Sequence, residues 1–281
     1  MNQPETRGIL CPNCRKLISS DEIRCPYCGQ PGPGAKWRNN PLTRGFQNPD
    51  QLVMALIWAN GIMFAISILM NPKQMGVSWN PFGMLSPHSD VLLALGATGT
   101  IPIDRLHRWW TLLAANYLHG GLLHIIFNMM AVRQLAPFVI REFGAYRMFI
   151  IYTLGGMIGY FISYLARVPL TIGASAALCA LIGASLFYGK SRGGTYGQAV
   201  YRQVSGWVMG LFVFGLIIPG INNWGHGGGI LGGIGLAFLL GYNEKIKENL
   251  RHKYLAITLL VITVGTLLWA IGIGVYYQFL I

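Results

Sequence analysis

Acidic side chains are scarce in this chain: 9 Asp and Glu stand against 21 Lys and Arg in 281 residues. Charged residues of both signs make up only 11% of the sequence, while 53% is hydrophobic. So little charge excludes an ordinary soluble domain, which carries roughly 25%. No carboxylate falls within 171–189 or 225–242, two apolar stretches that matter below, so no Asp or Glu there can orient a histidine. Cysteine is nearly absent outside one cluster, with four of the five lying between residues 11 and 28. The first 50 residues hold no apolar run of the kind that forms the core of a cleavable signal peptide. The first span is therefore expected to act as an uncleaved anchor.

The hydrophobic residues gather into seven stretches long enough to cross a bilayer, near 52–70, 110–132, 147–166, 171–189, 204–220, 225–242 and 254–280. The expected fold is an all-α, polytopic membrane protein. The fourth stretch is short and follows Pro169, so its start is expected to be recessed below the membrane surface. With the N-terminus inside, 17 of the 21 Lys and Arg fall on the inner side, and only Lys73, Arg105, Arg108 and Arg167 lie outside. That asymmetry follows the positive-inside rule and sets the topology. Orientation accounts for the net charge of +12, and no nucleic-acid partner is expected.

Cys11-Pro-Asn-Cys14 and Cys25-Pro-Tyr-Cys28 form two Cys-x-x-Cys knuckles with ten residues between them. Each knuckle turns two thiolates toward one point, which suits tetrahedral zinc. The alternatives are two disulfides or a redox pair, and a reducing cytoplasm disfavours the disulfides. The segment resembles a zinc ribbon spanning residues 1–30, with a structural ion held by Cys11, Cys14, Cys25 and Cys28. So short a module has almost no core, and metal binding would supply most of its folding energy. Four cysteine ligands leave no open position for catalysis. The ribbon is expected to dock or recruit a cytoplasmic partner. Residues 31–51, rich in Pro, Gly and Asn, read as a linker, with Trp37 between Lys36 and Arg38 as an alternative membrane-surface contact.

Three polar clusters interrupt the apolar stretches. His119, His124 and Asn128 are expected in the first half of the second, Ser175 at the start of the fourth, and His226 at the start of the sixth. Each has a structural alternative: small-residue packing for Ser175 in Gly173-Ala174-Ser175-Ala176, a cap for His226, and an interhelical hydrogen bond for Asn128. The alternating topology puts all of them in the outer half of the membrane, which the packing alternatives do not predict. Polar groups there are costly and tend to be functional. A serine and a histidine that meet at one depth can form a nucleophile and its base. His124 and Asn128, four apart, share a helix face, whereas His119 is turned away from His124 by roughly 140° on an ideal helix.

These residues resemble the rhomboid intramembrane serine proteases over about 52–242. The resemblance rests on Trp109-Trp110, on Leu118-His119-Gly120-Gly121-Leu122-Leu123-His124 running on to Asn128, on Gly173-Ala174-Ser175, and on His226 with Gly229 and Gly233. It implies a rhomboid-like six-helix core, here followed over 243–281 by an inner loop and a C-terminal seventh transmembrane helix. It implies a Ser175–His226 dyad without a carboxylate and no cofactor for catalysis. The oxyanion would be stabilised by His124, Asn128 and the Ser175 N–H. His119, more than a turn nearer the outside, either approaches the site from above or only anchors the helix at the interface. Residues 71–109 correspond to the family's first outer loop and 219–225 to the loop that caps the site. The chain departs from the pattern at Ala176, where glycine is usual, at Cys179, where many members have tyrosine, and at Trp110-Thr111, where Trp-Arg is frequent.

The expected activity is that of an endopeptidase cutting single-pass transmembrane proteins near the outer face of a bilayer. The expected location is the plasma membrane, with the N-terminus cytoplasmic and the site opening outward. The alternative is a catalytically silent relative that binds transmembrane helices. A transporter would show buried charges along a path through the whole membrane, and here the inner halves are apolar.

Overall fold

Backbone in hydrocarbon has no water to bond, so a chain this apolar must close its hydrogen bonds within helices. The computed structural model describes residues 7–11, 14–29, 32–34, 46, 48–70, 84–218 and 220–279. Most of the expected linker and residues 71–83 of the expected outer loop lie outside the described residues, as does Pro219 of the capping loop.

The helices are α1 (Pro49–Leu69), α2 (Ser89–Ala94), α3 (Thr111–Ala114), α4 (Leu122–Phe143), α5 (Ala145–Leu165), α6 (Ser175–Arg192), α7 (Gly194–Ile217), α8 (Asn223–Leu240) and α9 (Leu250–Phe279). Helices α1, α4, α5, α7 and α9 are long and apolar enough to cross a bilayer. The expected fourth and sixth spans, α6 and α8, have 18 residues each. Ser175, Lys190 and Arg192 in α6, and His226 with its glycines in α8, make them less apolar. Helix α6 is largely buried inside the bundle, whereas α8 buries its glycine face and exposes Leu231, Phe238 and Leu239.

The core is α5 with α6 and α8 against it. Tyr152, Tyr160, Ala177 and Leu181 are fully buried, while Phe212, Leu216, Phe238 and Trp269 project from the outside. An apolar exterior over a close-packed interior suits a lipid surround. The contact between α6 and α8 is backbone on backbone. A side chain on Gly229 or Gly233 would overlap the carbonyls of Ala176 and Ala180. Small residues spaced four apart allow that approach.

The expected second span starts too early. Residues 111–117 form α3 and a 3-10 turn, Leu118 is extended, and α4 begins only at Leu122. Gly120 and Gly121 interrupt the run there. His119 thus lies in the bend before α4 rather than on it.

At the N-terminus, β1 (Gly8–Leu10) and β2 (Leu17–Ser19) form an antiparallel hairpin with Ile9 opposite Ile18. At the end of the bundle away from Ser175, Arg147 is fully buried. Its guanidinium donates to the carbonyls of Leu240, Gly241 and Ile246 and to Asn243 Oδ1, and its backbone N–H donates to Glu248 Oε1. A cation at the C-terminal carbonyls of α8 also suits the helix dipole.

Candidate active site and metal centre

The strand-like segment before α6 fixes where Ser175 begins. Thr171 exchanges backbone hydrogen bonds with Thr98 at 2.7 and 3.0 Å. Thr111 Oγ1 donates to Thr98 Oγ1 at 3.0 Å, which ties α3 to the same bridge. Gly173 follows at φ +125°, a conformation that favours glycine. Its N–H donates to the Ala115 carbonyl at 2.9 Å. Its own carbonyl accepts a short hydrogen bond from the buried Tyr160 hydroxyl of α5. The turn entering α6 is therefore held from both sides.

Ser175 is the first residue of α6, and Ala174 at the cap position offers no side-chain acceptor. Uncapped N–H groups at a helix start carry partial positive charge and suit an anion. His124 stands across from them. Its Nδ1 accepts from the Gly120 N–H at 3.3 Å, so a neutral ring carries its proton on Nε2. A methyl group on Gly173 would lie 2.7 Å from His124 Nε2 and 3.6 Å from Ser175 Oγ. The imidazole donor and the serine hydroxyl thus border the same small space, which glycine leaves open.

His119 is fully buried and packs edge-on against His124, with ring centroids 5.0 Å apart. Neither of its ring nitrogens has a hydrogen-bond partner. Asn128 Nδ2 donates one of its two N–H groups to the His124 carbonyl at 3.0 Å on its own helix.

His226 sits in the first turn of α8, which wedges against α5 and α6. A methyl group on Gly159 of α5 would lie 2.7 Å from the Gly225 carbonyl and 3.1 Å from Ala176 Cβ. Asn222 sets the height of that turn. Its Oδ1 accepts from the Gly225 N–H at 2.9 Å, and its Nδ2 donates to Ser163 Oγ at 2.6 Å and Thr171 Oγ1 at 2.9 Å. His226 Nδ1 is buried without a hydrogen-bond partner among the described residues. Among the described residues no hydrogen bond joins Ser175 to His226. Such bonds are often long before substrate binds. Cys179, at the position where tyrosine was noted as frequent, is buried where α6 meets Gly229.

Tyr160 and Asn222 are the residues that the sequence reading missed. Each acts on groups distant in sequence, so neither leaves a local motif. The only signal was a polar side chain inside, or at the edge of, an apolar run.

The four N-terminal cysteines are free thiols whose Sγ atoms all lie within 4.8 Å of one another. Cys11 and Cys28 are 3.7 Å apart, and Cys14 and Cys25 are 3.6 Å apart. Four thiolates about 2.3 Å from a central ion in a tetrahedron stand about 3.8 Å from one another, so the cluster is able to hold a metal ion. Burial alone would raise the Cys25 thiol, but the Tyr27 and Cys28 N–H groups and the neighbouring thiols bring it down to about 7.

The family model for the Rhomboid domain matches residues 106–243. RHOMBOID-like protein 4 of Arabidopsis thaliana is 29% identical over 214 residues, covering 70% of this chain and 53% of that protein. Rhomboid protease GluP of Bacillus subtilis (strain 168) is 28% identical over 186 residues, covering 66% of this chain and 36% of that one. YdcA of the same strain, provisionally described as a rhomboid protease, is 32% identical over 161 residues, covering 56% of this chain and 80% of its own length. The chain thus spans only 53% and 36% of the first two relatives.

Proposed function

This chain belongs to the rhomboid family of membrane proteases, and from that membership we propose that it is an intramembrane serine endopeptidase with Ser175 as nucleophile and His226 as general base. Its substrates are single-pass transmembrane proteins, cut near the outer face of the membrane. The observation that carries this reading is the shared space at Gly173, bordered by Ser175 Oγ and His124 Nε2 at the uncapped start of α6.

His226 takes the proton as Ser175 Oγ attacks the scissile carbonyl carbon, and the carbonyl π electrons move to oxygen. The oxyanion accepts from the Ser175 N–H and His124 Nε2–H. Asn128 contributes the other N–H of its amide. Collapse of the tetrahedral adduct breaks the C–N bond, and His226 returns the proton to the leaving amine. Water, deprotonated by His226, then hydrolyses the acyl ester and regenerates Ser175. No carboxylate orients His226, and the packing of α8 on α5 and α6 does that work. His119 buttresses the His124 ring. A substrate helix must unwind locally to offer its carbonyl, so helix-weakening and small residues near the cut are favoured.

The four-cysteine ribbon holds structural zinc, which supplies no chemistry to the cleavage. The charge asymmetry supports a plasma-membrane protein with the ribbon in the cytoplasm, docking a partner there.

The test compares wild type with Ser175→Ala in detergent, by fluorophosphonate labelling and by cleavage of a model transmembrane substrate. Labelling and cleavage by wild type alone are expected. A folded wild type that does neither, with and without its ribbon, would falsify the protease reading and leave a silent helix-binding protein, the reading that Ala176 and the unjoined Ser175–His226 pair favour.

A further inference from the structure

At the end of the bundle away from Ser175, a cleft of about 540 Å³ opens between the ribbon and the starts of α1 and α9. It belongs to neither the candidate active site nor the cysteine cluster, though Cys14 touches its edge. Four cations line it: Arg15 from the ribbon, Arg141 near the end of α4, Lys247 from the α8–α9 loop, and Lys253 in the first turn of α9. The one carboxylate in the lining is Glu248, which already accepts from the Arg147 N–H at 2.9 Å. Burial raises this carboxyl above its ordinary value. Arg141 is shared with Glu142 at 2.8 Å, and Arg15 also donates to the Phe46 carbonyl at 3.1 Å, yet four cations still face a single carboxylate.

The two helix starts do not themselves attract the ligand. Asn48 and Asn249 already accept from their first N–H groups. Recognition must therefore come from the side-chain cations. Beside Asn243 and Asn249, part of the wall is apolar, with Pro49, Ile140 and Leu250 where the membrane-spanning parts of α1, α4 and α9 begin or end. Cations above an apolar wall at the boundary of three spans match a molecule with an anionic head and an aliphatic tail.

We propose that this cleft binds the phosphate headgroup of an anionic membrane lipid, with its chain lying along Pro49, Ile140 and Leu250. Arg15 reaches the headgroup from the ribbon, and Lys247 and Lys253 reach it from the bundle. The lipid therefore pins the two parts together. A soluble phosphate would satisfy the cations but would leave the apolar wall uncovered.

The experiment uses the full-length, metal-loaded protein and native mass spectrometry with phosphatidylglycerol, phosphatidylcholine and inorganic phosphate. One phosphatidylglycerol is expected to be retained in preference to phosphatidylcholine. Arg15→Gln and Lys247→Gln, both exposed positions that the fold tolerates, are each expected to weaken its retention about five-fold. Lys190→Gln, which removes a charge outside the cleft, is expected to change it little. Equal weakening by Lys190→Gln would overturn the site in favour of diffuse attraction. So would equal retention of phosphatidylcholine, or displacement of the lipid by millimolar phosphate, which would mark a soluble-anion site.

Discussion

A single methyl group at residue 173 would meet two obstacles. Gly173 has φ +125°, and its added carbon would lie 2.7 Å from His124 Nε2. Gly173→Ala is expected to cost about 2 kcal/mol of stability from the backbone alone. It is also expected to lower fluorophosphonate labelling at least about 100-fold by displacing the imidazole. Thermal denaturation and labelling rates measure the two effects separately. His124→Ala, which leaves the backbone free, is expected to lower cleavage by about 100- to 1,000-fold while the protein stays folded. Tyr160→Phe removes the hydroxyl held on the Gly173 carbonyl. It is expected to cost about 1–3 kcal/mol, because a buried acceptor is left unpaired. At this scale the four-cysteine cluster was legible, because the spacing of its two knuckles is local. Tyr160 was not, since its partner lies 13 residues away across a turn that only the folded backbone defines.

Helices were legible as apolar runs, but their starts depended on features that hydropathy does not weigh. The run at 110–132 reads as one span, yet Gly120-Gly121 and the extended Leu118 break it, and His119 falls in the gap. The pair Gly229 and Gly233 was readable as a packing face, and it does bring α8 onto the carbonyls of α6. Gly233→Val is expected to destabilise the bundle by about 3 kcal/mol or more, since the obstacle is backbone and cannot rotate away. Chemical denaturation in mixed micelles checks that value. Asn222 caps α8 and also bonds Ser163 and Thr171. Asn222→Ala is expected to cost about 2 kcal/mol and to lower labelling more than Gly220→Ala in the same loop.

For the whole molecule, membrane insertion, the packed helical bundle and a separate cysteine module could be read from composition and spacing. The clasp at Arg147 could not, because its acceptors are backbone carbonyls that any sequence supplies. So short a module is expected to depend on a bound ion for its folding. A chelator is expected to release about one zinc per chain and abolish ribbon structure, while the helical signal of the bundle persists. Metal release by colorimetric dye and circular dichroism read the two outcomes. Protons compete with the ion for the four thiolates, so acid is expected to promote release.

Helix α5 carries Arg147 near one end and Tyr160 toward the other, and each is clamped to a different part of the protein. The 13 residues between them span about 20 Å of continuous helix, which acts as a push rod. An axial shift at the Arg147 end is expected to reach the Gly173 carbonyl through Tyr160. In enzymes, reacting geometry can lose on the order of 100-fold for a displacement of about 1 Å. Load at that end is therefore expected to misalign the turn that begins at Gly173.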